Sequence, residues 1–376
     1  MNRTIIDVHL LQTVPPSNLN RDDTGSPKTA VYGGVRRARV SSQAWKRATR
    51  RDFAQYLDQT ELGIRTKRVV ELLGDRIVEQ LPDTESAVAQ ATAGEIFKAA
   101  GIKVKEPRGK KDAPAESGSL LFLSEQQIGA LTRLAVDSLD RDEKVEKKSV
   151  QELIKDKNSI DLALFGRMVA EVPALNIDAA CQVAHALSTH AIETEYDYFT
   201  AVDDHKAADA EEDAGAGMIG TVEFDSATLY RYATVDVDLL RMNLGDIEAT
   251  KRAVSAFLKS FTYSMPTGKQ HTFANRTLPD AVVISLRQDQ SVSLVGAFEE
   301  PVRDLNGGGR VTRSAERLAA YSEEVTQAFG VAPVSTWVTG VGAAGDTLSV
   351  LGKRVSFEAA VEAVANTLDS RLSPSA

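Results

Sequence analysis

The chain has 376 residues, of which 43% are hydrophobic and 26% charged, as is ordinary for a folded globular protein with room for two or more domains. Its formal net charge of -9 argues against a protein that coats nucleic acid non-specifically, although a local basic patch can still bind phosphate. The single cysteine, Cys181, excludes an intrachain disulfide and a cysteine-rich zinc site. The opening residues have neither a signal-peptide core nor the length of a membrane span, which predicts a cytoplasmic protein without membrane contact.

The first predicted element is a strand over residues 4–14, where β-branched and other apolar residues alternate with polar ones. Pro, Asn, Asp, Gly and Ser then dominate, which predicts a long loop that ends at Lys28. Long loops in compact domains are often functional. His9 has no second His or Cys at ligand spacing, so we interpret it as a strand residue and not a metal ligand.

Basic side chains are concentrated in residues 33–51, which hold seven Lys and Arg residues and no acid. They are Arg36, Arg37, Arg39, Lys46, Arg47, Arg50 and Arg51. A Gly-Gly turn and a short extended segment open this stretch, and Ser41 or Ser42 is a suitable N-cap for a following helix. Helical spacing places Gln43, Lys46, Arg47 and Arg50 on one face and Trp45, Ala48, Thr49, Phe53 and Tyr56 on the other.

This helix predicts a phosphate-binding surface. Its N-terminal amides and hydroxyls can bind one phosphate, and Lys46 and Arg50, one turn apart, can reach a neighbouring phosphate on the same strand. The alternative is a solvated basic face with an ordinary cap, because runs of charge are usually solvated. Spacing does not distinguish these two interpretations.

Helical patterns dominate residues 65–158, where four amphipathic segments are separable: VVELLGDRIVEQL, AGEIFKAA, SEQQIGALTRLAVDSL and SVQELIKDK. We interpret this region as an inserted helical subdomain. Beyond it, IDLALFGRM predicts a strand, and a helix containing Cys181 and His185 follows. His185 and His190 are five residues apart, so they do not share a helical face and are not a metal pair.

Aromatic residues Tyr196, Tyr198 and Phe199 lie in a segment that predicts a β-hairpin. Such residues can stack on bases, although in an alternating strand they more often pack in a core. Residues 220–240 predict two strands, and residues 245–261 predict a helix. A Gly-Lys loop, further strands and two closing helices follow. The order strand, helix, strand, strand, helix, strand, with a large insertion, predicts an α+β fold of the ferredoxin or RRM type.

The sequence does not present a catalytic set. The Gly-Lys loop lacks Walker spacing, and no serine lies in a G-x-S-x-G elbow. Asp22 and Asp23 are the only loop carboxylate pair near the basic stretch, whereas a metal-dependent phosphodiesterase needs several carboxylates around its metals.

Several blocks resemble one family in order and wording: SNLNRDD, GGVRRARVSSQAWKRATR, LALFGRM, THAIETEYDYFTAVDD, FDSATLYRYATVDVDLL and GKQHTFAN. The chain resembles the backbone subunit of the type I-E CRISPR Cascade complex, a crRNA-binding subunit of RAMP type. The resemblance covers nearly the whole length and is loose across residues 58–158 and after residue 276. It implies a non-catalytic protein with no cofactor and no metal, whose copies stack into a helical filament along the crRNA.

The resemblance also implies an RRM-like palm, a helical fingers insertion and a β-hairpin thumb. Residues 1–58 and 221–376 would form the palm, 59–180 the fingers, 181–192 a palm helix and 193–220 the thumb. Each thumb would reach over a neighbouring palm and displace bases periodically, which leaves the intervening bases free to pair with target DNA. The implied partners are crRNA, target DNA through the guide, other copies of the chain and other Cascade subunits.

Site residues are implied where the chain matches the family's motifs. Those that would hold crRNA phosphates and sugars are Arg21, Lys28, Ser41, Gln43, Lys46 and Arg50. Met168 would abut the displaced base, Phe199 would pack at the kink, and Lys269 of the Gly-Lys loop would also contact RNA. Sequence-independent phosphate contacts suit a scaffold whose guide changes, because base pairing then reads the target.

Two other hypotheses remain open. Related backbone subunits of other CRISPR types cut RNA with a loop aspartate, so Asp22 or Asp23 could serve a metal-dependent RNA endonuclease. The third hypothesis is a helical interaction protein with an incidental basic helix. Salt-insensitive or absent RNA binding would favour the third, because phosphate contacts weaken with salt.

Overall fold

The computed structural model describes residues 3–107, 109, 113–141, 144–201, 218–304 and 307–372. Contacts group the chain into two compact units. The first unit comprises Met1–Asp52, Val183–Thr234 and Phe257–Asn366. The second comprises Phe53–Gln182, Val235–Ala256 and Thr367–Ala376.

Strands and helices are both numerous in the described residues. The strands are β1 Ile5–Ser17, β2 Thr29–Tyr32, β3 Val35–Val40, β4 Gly63–Thr66, β5 Val104–Lys105, β6 Glu116–Ser117, β7 Leu121–Ser124, β8 Cys181–Val183, β9 Ala186–Ser188, β10 Glu195–Ala201, β11 Met218–Asp236, β12 Ala281–Arg287, β13 Ser335–Gly340 and β14 Lys353–Arg354. The helices are α1 Ser42–Asp52, α2 Val69–Gln80, α3 Ser86–Ala99, α4 Glu125–Arg141, α5 Lys147–Lys155, α6 Ile160–Phe165, α7 Val237–Leu244, α8 Ile247–Tyr263, α9 Gln270–Phe273, α10 Arg310–Phe329, α11 Gly342–Leu348 and α12 Phe357–Leu372. The predicted α+β class is therefore confirmed.

A large sheet organises the first unit. Its strands run in the order β14-β13-β12-β1-β11-β9-β3-β2, and β10 pairs with another part of β11. Strand β1 is antiparallel to β12, with Ile5 opposite Arg287 and Leu11 opposite Ala281. Every residue of β1 from Ile5 to Leu11 is buried, as expected for a central strand that is covered on both faces. This opening strand was predicted from the sequence, and the structure extends it to Ser17.

The second unit contains the four helices predicted between residues 65 and 158. Helices α2, α3, α4 and α5 enclose one apolar core, in which Leu73, Ile77, Phe97 and Leu131 are almost completely buried. Two short antiparallel ribbons, β4 with β7 and β5 with β6, connect these helices. The periodic apolar pattern was sufficient here because each helix buries one face against its neighbours.

The helix predicted over residues 181–192 is wrong. The structure forms two short strands, β8 and β9, in its place. Strand β9 pairs with β3 through Leu187 and Arg39 and with β11 through Ser188 and Leu229. These partners lie far away in the sequence, so the local apolar pattern contained no sign of them. Short apolar runs do not distinguish a buried strand from a helix.

Two further expectations are corrected by the structure. The IDLALFGRM segment contains helix α6 and not a strand, and the helix ends at Gly166, whose φ of 76° lies in the left-handed region. Residues 220–240 form one long strand followed by α7, not two strands. The strand ends where the Asp236 carboxylate accepts a hydrogen bond from the Leu239 amide and caps α7.

The predicted hairpin is present in its stem. Strand β10 pairs antiparallel with the first part of β11, with Glu195 opposite Phe224 and Phe199 opposite Gly220. The tip, residues 202–217, lies outside the described residues. The division into palm, fingers and thumb at the boundaries given above stays a prediction.

Candidate nucleic-acid interface

Helix α1 is anchored by its apolar face, as its spacing predicted. Trp45, Thr49 and Phe53 are buried, whereas Tyr56, predicted on the same face, is 40% exposed because the α-helix ends at Asp52. The Arg231 guanidinium of β11 lies 3.7 Å from the centre of the Trp45 ring and 4.6 Å from that of Phe261. Arg231 donates hydrogen bonds to Gln12 Oε1 at 2.6 Å and to the Phe261 carbonyl. The helix is thus fixed on the sheet of the first unit.

The N-terminus of α1 is tied to the loop that follows β1. The Ser41 hydroxyl accepts a hydrogen bond from the Ala44 amide at 3.3 Å, which makes Ser41 the cap of the helix. The Ser41 amide in turn donates to Asn20 Oδ1 at 2.9 Å. Ser41 is only 5% exposed, so its hydroxyl serves the helix cap. Its predicted contact with RNA stays a prediction.

The loop over residues 18–28 is held by its own polar side chains. Asn18 is buried, and its amide donates to the carbonyls of Gly25 and Glu223, both at 3.0 Å. The Asp22 carboxylate accepts three hydrogen bonds, from the Thr24 amide at 2.9 Å, the Thr24 hydroxyl at 2.7 Å and the Ser26 amide at 3.0 Å. These bonds, the Thr24 hydroxyl first, lower the pKa of Asp22. The loop is therefore a defined structure.

A second loop, residues 265–269, lies directly against the first. A Cβ atom on Gly268 would lie 2.3 Å from the Leu19 carbonyl oxygen and 2.6 Å from that of Asn18, so only glycine permits this approach. The next residue, Lys269, has a φ of 50° in the left-handed region. The conformation places Lys269 beside the loop that carries Arg21.

These three segments enclose a cleft of about 670 Å³ within the first unit. The loop after β1 contributes Leu19 to Gly25, helix α1 contributes one face, and residues 265–269 form the third wall. The cationic side chains that line it are Arg21, Arg47, Arg51 and Lys269. Arg21, Arg47 and Arg51 are exposed, so their guanidinium groups are accessible to an anion. An open groove with cations on three sides fits an extended phosphate backbone.

The structure brings only some of the predicted RNA-binding residues into this cleft. Arg21 and Lys269 line it, but Lys46 and Arg50 do not and are half-buried. Gln43 is exposed near the start of α1. The basic residues of α1 that do line the cleft are Arg47 and Arg51, which are four residues apart and so lie on one face of the helix. The predicted helical spacing had already placed Arg47 on the free face. Adding one more turn to the same face would have included Arg51.

Arg37, although part of the basic stretch, is an interior residue. It is fully buried and donates to four backbone carbonyls, those of Tyr32, Ser188, Phe298 and Glu299, at 2.8 to 3.1 Å. Burial lowers the pKa of Arg37. Its guanidinium holds the start of β3 to β9 and to residues 298–299, so it is not part of the interface.

Lys28 lies beside a separate, smaller cavity of about 20 Å³, together with Arg39 and Asp225. The Arg39 guanidinium lies 3.2 Å from His185 Nδ1. Burial first, and then Arg39 and Lys28, lower the pKa of His185. His185 therefore contacts Arg39 and lies within electrostatic reach of Lys28. The sequence did not indicate this, because the segment of His185 was predicted to be helical.

Met168 and Phe199 are the two apolar residues that the family resemblance places next to the displaced base. Met168 is 79% exposed and follows Arg167, whose buried guanidinium donates to the carbonyls of Phe122, Ile154 and Leu175. Phe199 is 37% exposed and packs on Gly220, where a Cβ would lie 2.4 Å from the ring. Both side chains are therefore accessible, and their contact with bases stays a prediction.

Asp22 and Asp23 are the two carboxylates that a metal-dependent endonuclease would use. Both line the cleft, but Asp22 is occupied by the loop contacts described above. In the described part of the chain, no three or more His, Cys, Asp or Glu side chains are grouped so that they could hold a metal ion. None of the described helices combines the length and hydropathy that a membrane span requires.

The chain is similar to known CRISPR proteins along almost its whole length. A family model described as CT1975-like protein matches residues 6–363. A solved chain titled "CRISPR RNA-guided surveillance complex, pre-nicking" is 34% identical with a TM-score of 0.85, over 97% of this chain and 100% of its own. Another, titled "CRISPR RNA-guided surveillance complex", is 30% identical with a TM-score of 0.76, over 96% and 99%. No curated protein matches this chain.

Proposed function

Because the chain belongs to the CT1975-like protein family, we propose that it is the crRNA-binding backbone subunit of a type I-E CRISPR Cascade complex. In this proposal several copies assemble along the guide, hold its phosphates and leave its bases available for target DNA. The chain itself does not cleave nucleic acid. The two solved chains with CRISPR surveillance-complex titles support the assignment to such an assembly.

The observation that carries the proposal is the basic cleft of the first unit. Its cations come from three separate segments, and the overall charge of the chain is nevertheless -9. A local cluster of positive charge on an acidic protein favours the binding of one strand along a defined path over non-specific binding of nucleic acid. The contacts available are to phosphate and sugar, which is what a subunit needs when the guide sequence varies.

Assembly on RNA tests this function directly. The purified chain is mixed with its guide RNA, and particle mass is measured with RNAs of increasing length. We expect particle mass to increase with RNA length, and the Arg47→Ala/Arg51→Ala variant, which removes two cations of the cleft, to form fewer or no such particles. Particles of the same mass with and without RNA, or no RNA binding, would contradict the proposal and favour an interaction protein with an incidental basic helix.

The endonuclease alternative is tested separately. RNA paired with the guide is incubated with Mg²⁺ and wild-type protein, Asp22→Ala or Asp23→Ala. The proposal predicts intact RNA in all three reactions. Regularly spaced cuts that disappear in either variant would establish the endonuclease and remove the scaffold-only function.

A further inference from the structure

Asp225 is an unexpected residue on this surface. It lies on β11 beside Ala227 and Leu229, which share its face of the strand at a spacing of two and line the same small cavity. Its carboxyl group is half-buried, and within the described residues it receives no hydrogen bond and forms no ion pair. Burial raises the pKa of Asp225 to about 6. The fold thus holds a partly desolvated acid without a donor for it.

The cavity in front of Asp225 has the size of one small polar group. Its volume is about 20 Å³, and about 10–15 Å³ is enough for one water molecule. A phosphate or a base does not fit, whereas a single hydroxyl group does. Most of the wall is apolar, and the polar lining residues are Ser17, Asn20, Lys28, Arg39 and Asp225.

The cavity adjoins the cleft that would hold the guide. Leu19 and Asn20 line both spaces, so the cavity and the cleft share one wall, and a strand that leaves the cleft along this wall would reach the cavity. Lys28 and Arg39 also line the cavity, and a phosphate bound by them would bring the attached sugar towards Asp225. An ionised carboxylate only accepts hydrogen bonds, so the missing group must be a donor. The ribose 2′-hydroxyl is such a donor, and it is the group that distinguishes RNA from DNA.

We propose that Asp225 accepts a hydrogen bond from a ribose 2′-hydroxyl seated in this cavity, and that it thereby selects RNA over DNA as the bound strand. This inference rests on the proposed function, because it requires the strand to lie in the cleft. It adds a specificity-determining residue to contacts that otherwise recognise only phosphate.

Three single strands of one sequence test the inference: RNA, 2′-fluoro RNA and DNA. Fluorine keeps the size and the sugar geometry close to those of RNA but cannot donate a hydrogen bond. Binding to the wild-type chain, Asp225→Ala and Asp225→Asn is measured by fluorescence anisotropy. We expect wild type to prefer RNA over 2′-fluoro RNA by about tenfold, the size of one hydrogen bond to a charged group. The ratio should fall towards one in Asp225→Ala and to an intermediate value in Asp225→Asn.

A charge-matched control separates this contact from simple electrostatics. Glu223→Gln removes one negative charge from the same strand, and Glu223 does not line the cavity. It should change the affinity for all three strands by the same factor and leave the ratio unchanged. Asp225→Asn keeps the shape of the side chain, so it supplies the answer if Asp225→Ala does not fold.

The outcomes for this inference and for the proposed function are distinct. An RNA to 2′-fluoro ratio that is the same in wild type and both Asp225 variants would overturn the inference, and a water molecule would then occupy the cavity. RNA binding that stays salt-dependent in that case would leave the proposed function intact. Failure of the wild-type chain to bind any of the strands would contradict the proposed function itself.

Discussion

The guanidinium of Arg231 stacks on the indole of Trp45 at 3.7 Å, and this contact joins the basic helix to the sheet. Arg231 is 1% exposed, and the groups it stacks on and donates to are neutral: the rings of Trp45 and Phe261, Gln12 and a backbone carbonyl. Burial lowers the pKa of Arg231 to about 9. The position of the basic helix therefore depends on a buried cation that does not itself line the cleft.

Replacing this residue should destabilise the first unit. Arg231→Met keeps most of the volume but removes the donors to Gln12 and Phe261, so we expect a loss of about 2–4 kcal/mol in the free energy of unfolding. Arg252→Met is the control, because Arg252 is 52% exposed in an ion pair with Glu61, and such pairs contribute less than about 1 kcal/mol. Equal urea midpoints for the two variants would contradict this role of Arg231.

The two loop aspartates should have opposite effects on RNA binding. Asp23 is exposed and lines the cleft, so Asp23→Ala removes a negative charge from the path of the phosphates and should strengthen binding about twofold. Asp22→Ala removes the same charge but also the acceptor for Thr24 and Ser26, and the loop that carries Arg21 loses its shape. We expect it to weaken binding several-fold. Fluorescence anisotropy titrations of the Asp22→Ala and Asp23→Ala variants with RNA at one salt concentration measure the two effects. If both variants bind RNA more tightly by the same factor, Asp22 acts only through its charge and has no role in the shape of the loop.

Gly268 makes the meeting of the two loops possible. In Gly268→Ala the new methyl group would lie 2.3 Å from the Leu19 carbonyl oxygen, so one loop must shift. Unlike a substitution of Lys269, this substitution removes no positive charge from the cleft. We expect it to weaken RNA binding about as much as Lys269→Ala does, and to cost about 1–3 kcal/mol of stability. Gly94→Ala is the control, because Gly94 lies in α3 outside the cleft and no atom lies within 4 Å of the new methyl group. Unaltered RNA affinity in Gly268→Ala would show that the position of this wall is unimportant.

Asp225 should make the free chain less stable at neutral pH. Its folded pKa of about 6 lies above the ordinary 3.8, so between these values the folded state binds more protons than the unfolded state. Stability therefore falls as the pH rises through this window and stays lower above it. Asp225→Asn should be more stable than wild type by about 1–3 kcal/mol at pH 8 and nearly equal to it at pH 4. Thermal melts at the two pH values check this, and a variant that is less stable at pH 8 would mean that Asp225 supports the fold.

Local patterns predicted those parts of the fold that local contacts determine. The capped helix after Ser41 and the four helices of the second unit follow from periodicity, and each was present. Long-range strand pairing was not visible in the same way. The segment around His185 was predicted to be helical because its pairing with Arg39 and Leu229 depends on residues far along the chain.

The candidate site shows the same limit. Arg21 and Lys269 were predicted from motif resemblance alone, but no pattern indicated that Gly268 would bring their loops together. Sequence spacing could not distinguish Lys46 and Arg50 from Arg47 and Arg51, since all four are basic and lie on one helix. Nor could it separate Arg37, which is bonded inside the protein, from the arginines that face solvent. The identity of a basic residue is readable from sequence, whereas its exposure depends on the tertiary fold.

The salt dependence of RNA binding tests the central claim most directly. Wild type is compared with Arg47→Ala/Arg51→Ala, and the control is Arg313→Ala/Arg317→Ala, which removes two arginines of α10 that lie outside the cleft. We predict that the cleft variant lowers the log–log salt slope by about 1.4, roughly 0.7 for each phosphate that is no longer neutralised, and that the control slope equals that of wild type. Equal slopes for the cleft variant and wild type would mean that the guide is held elsewhere.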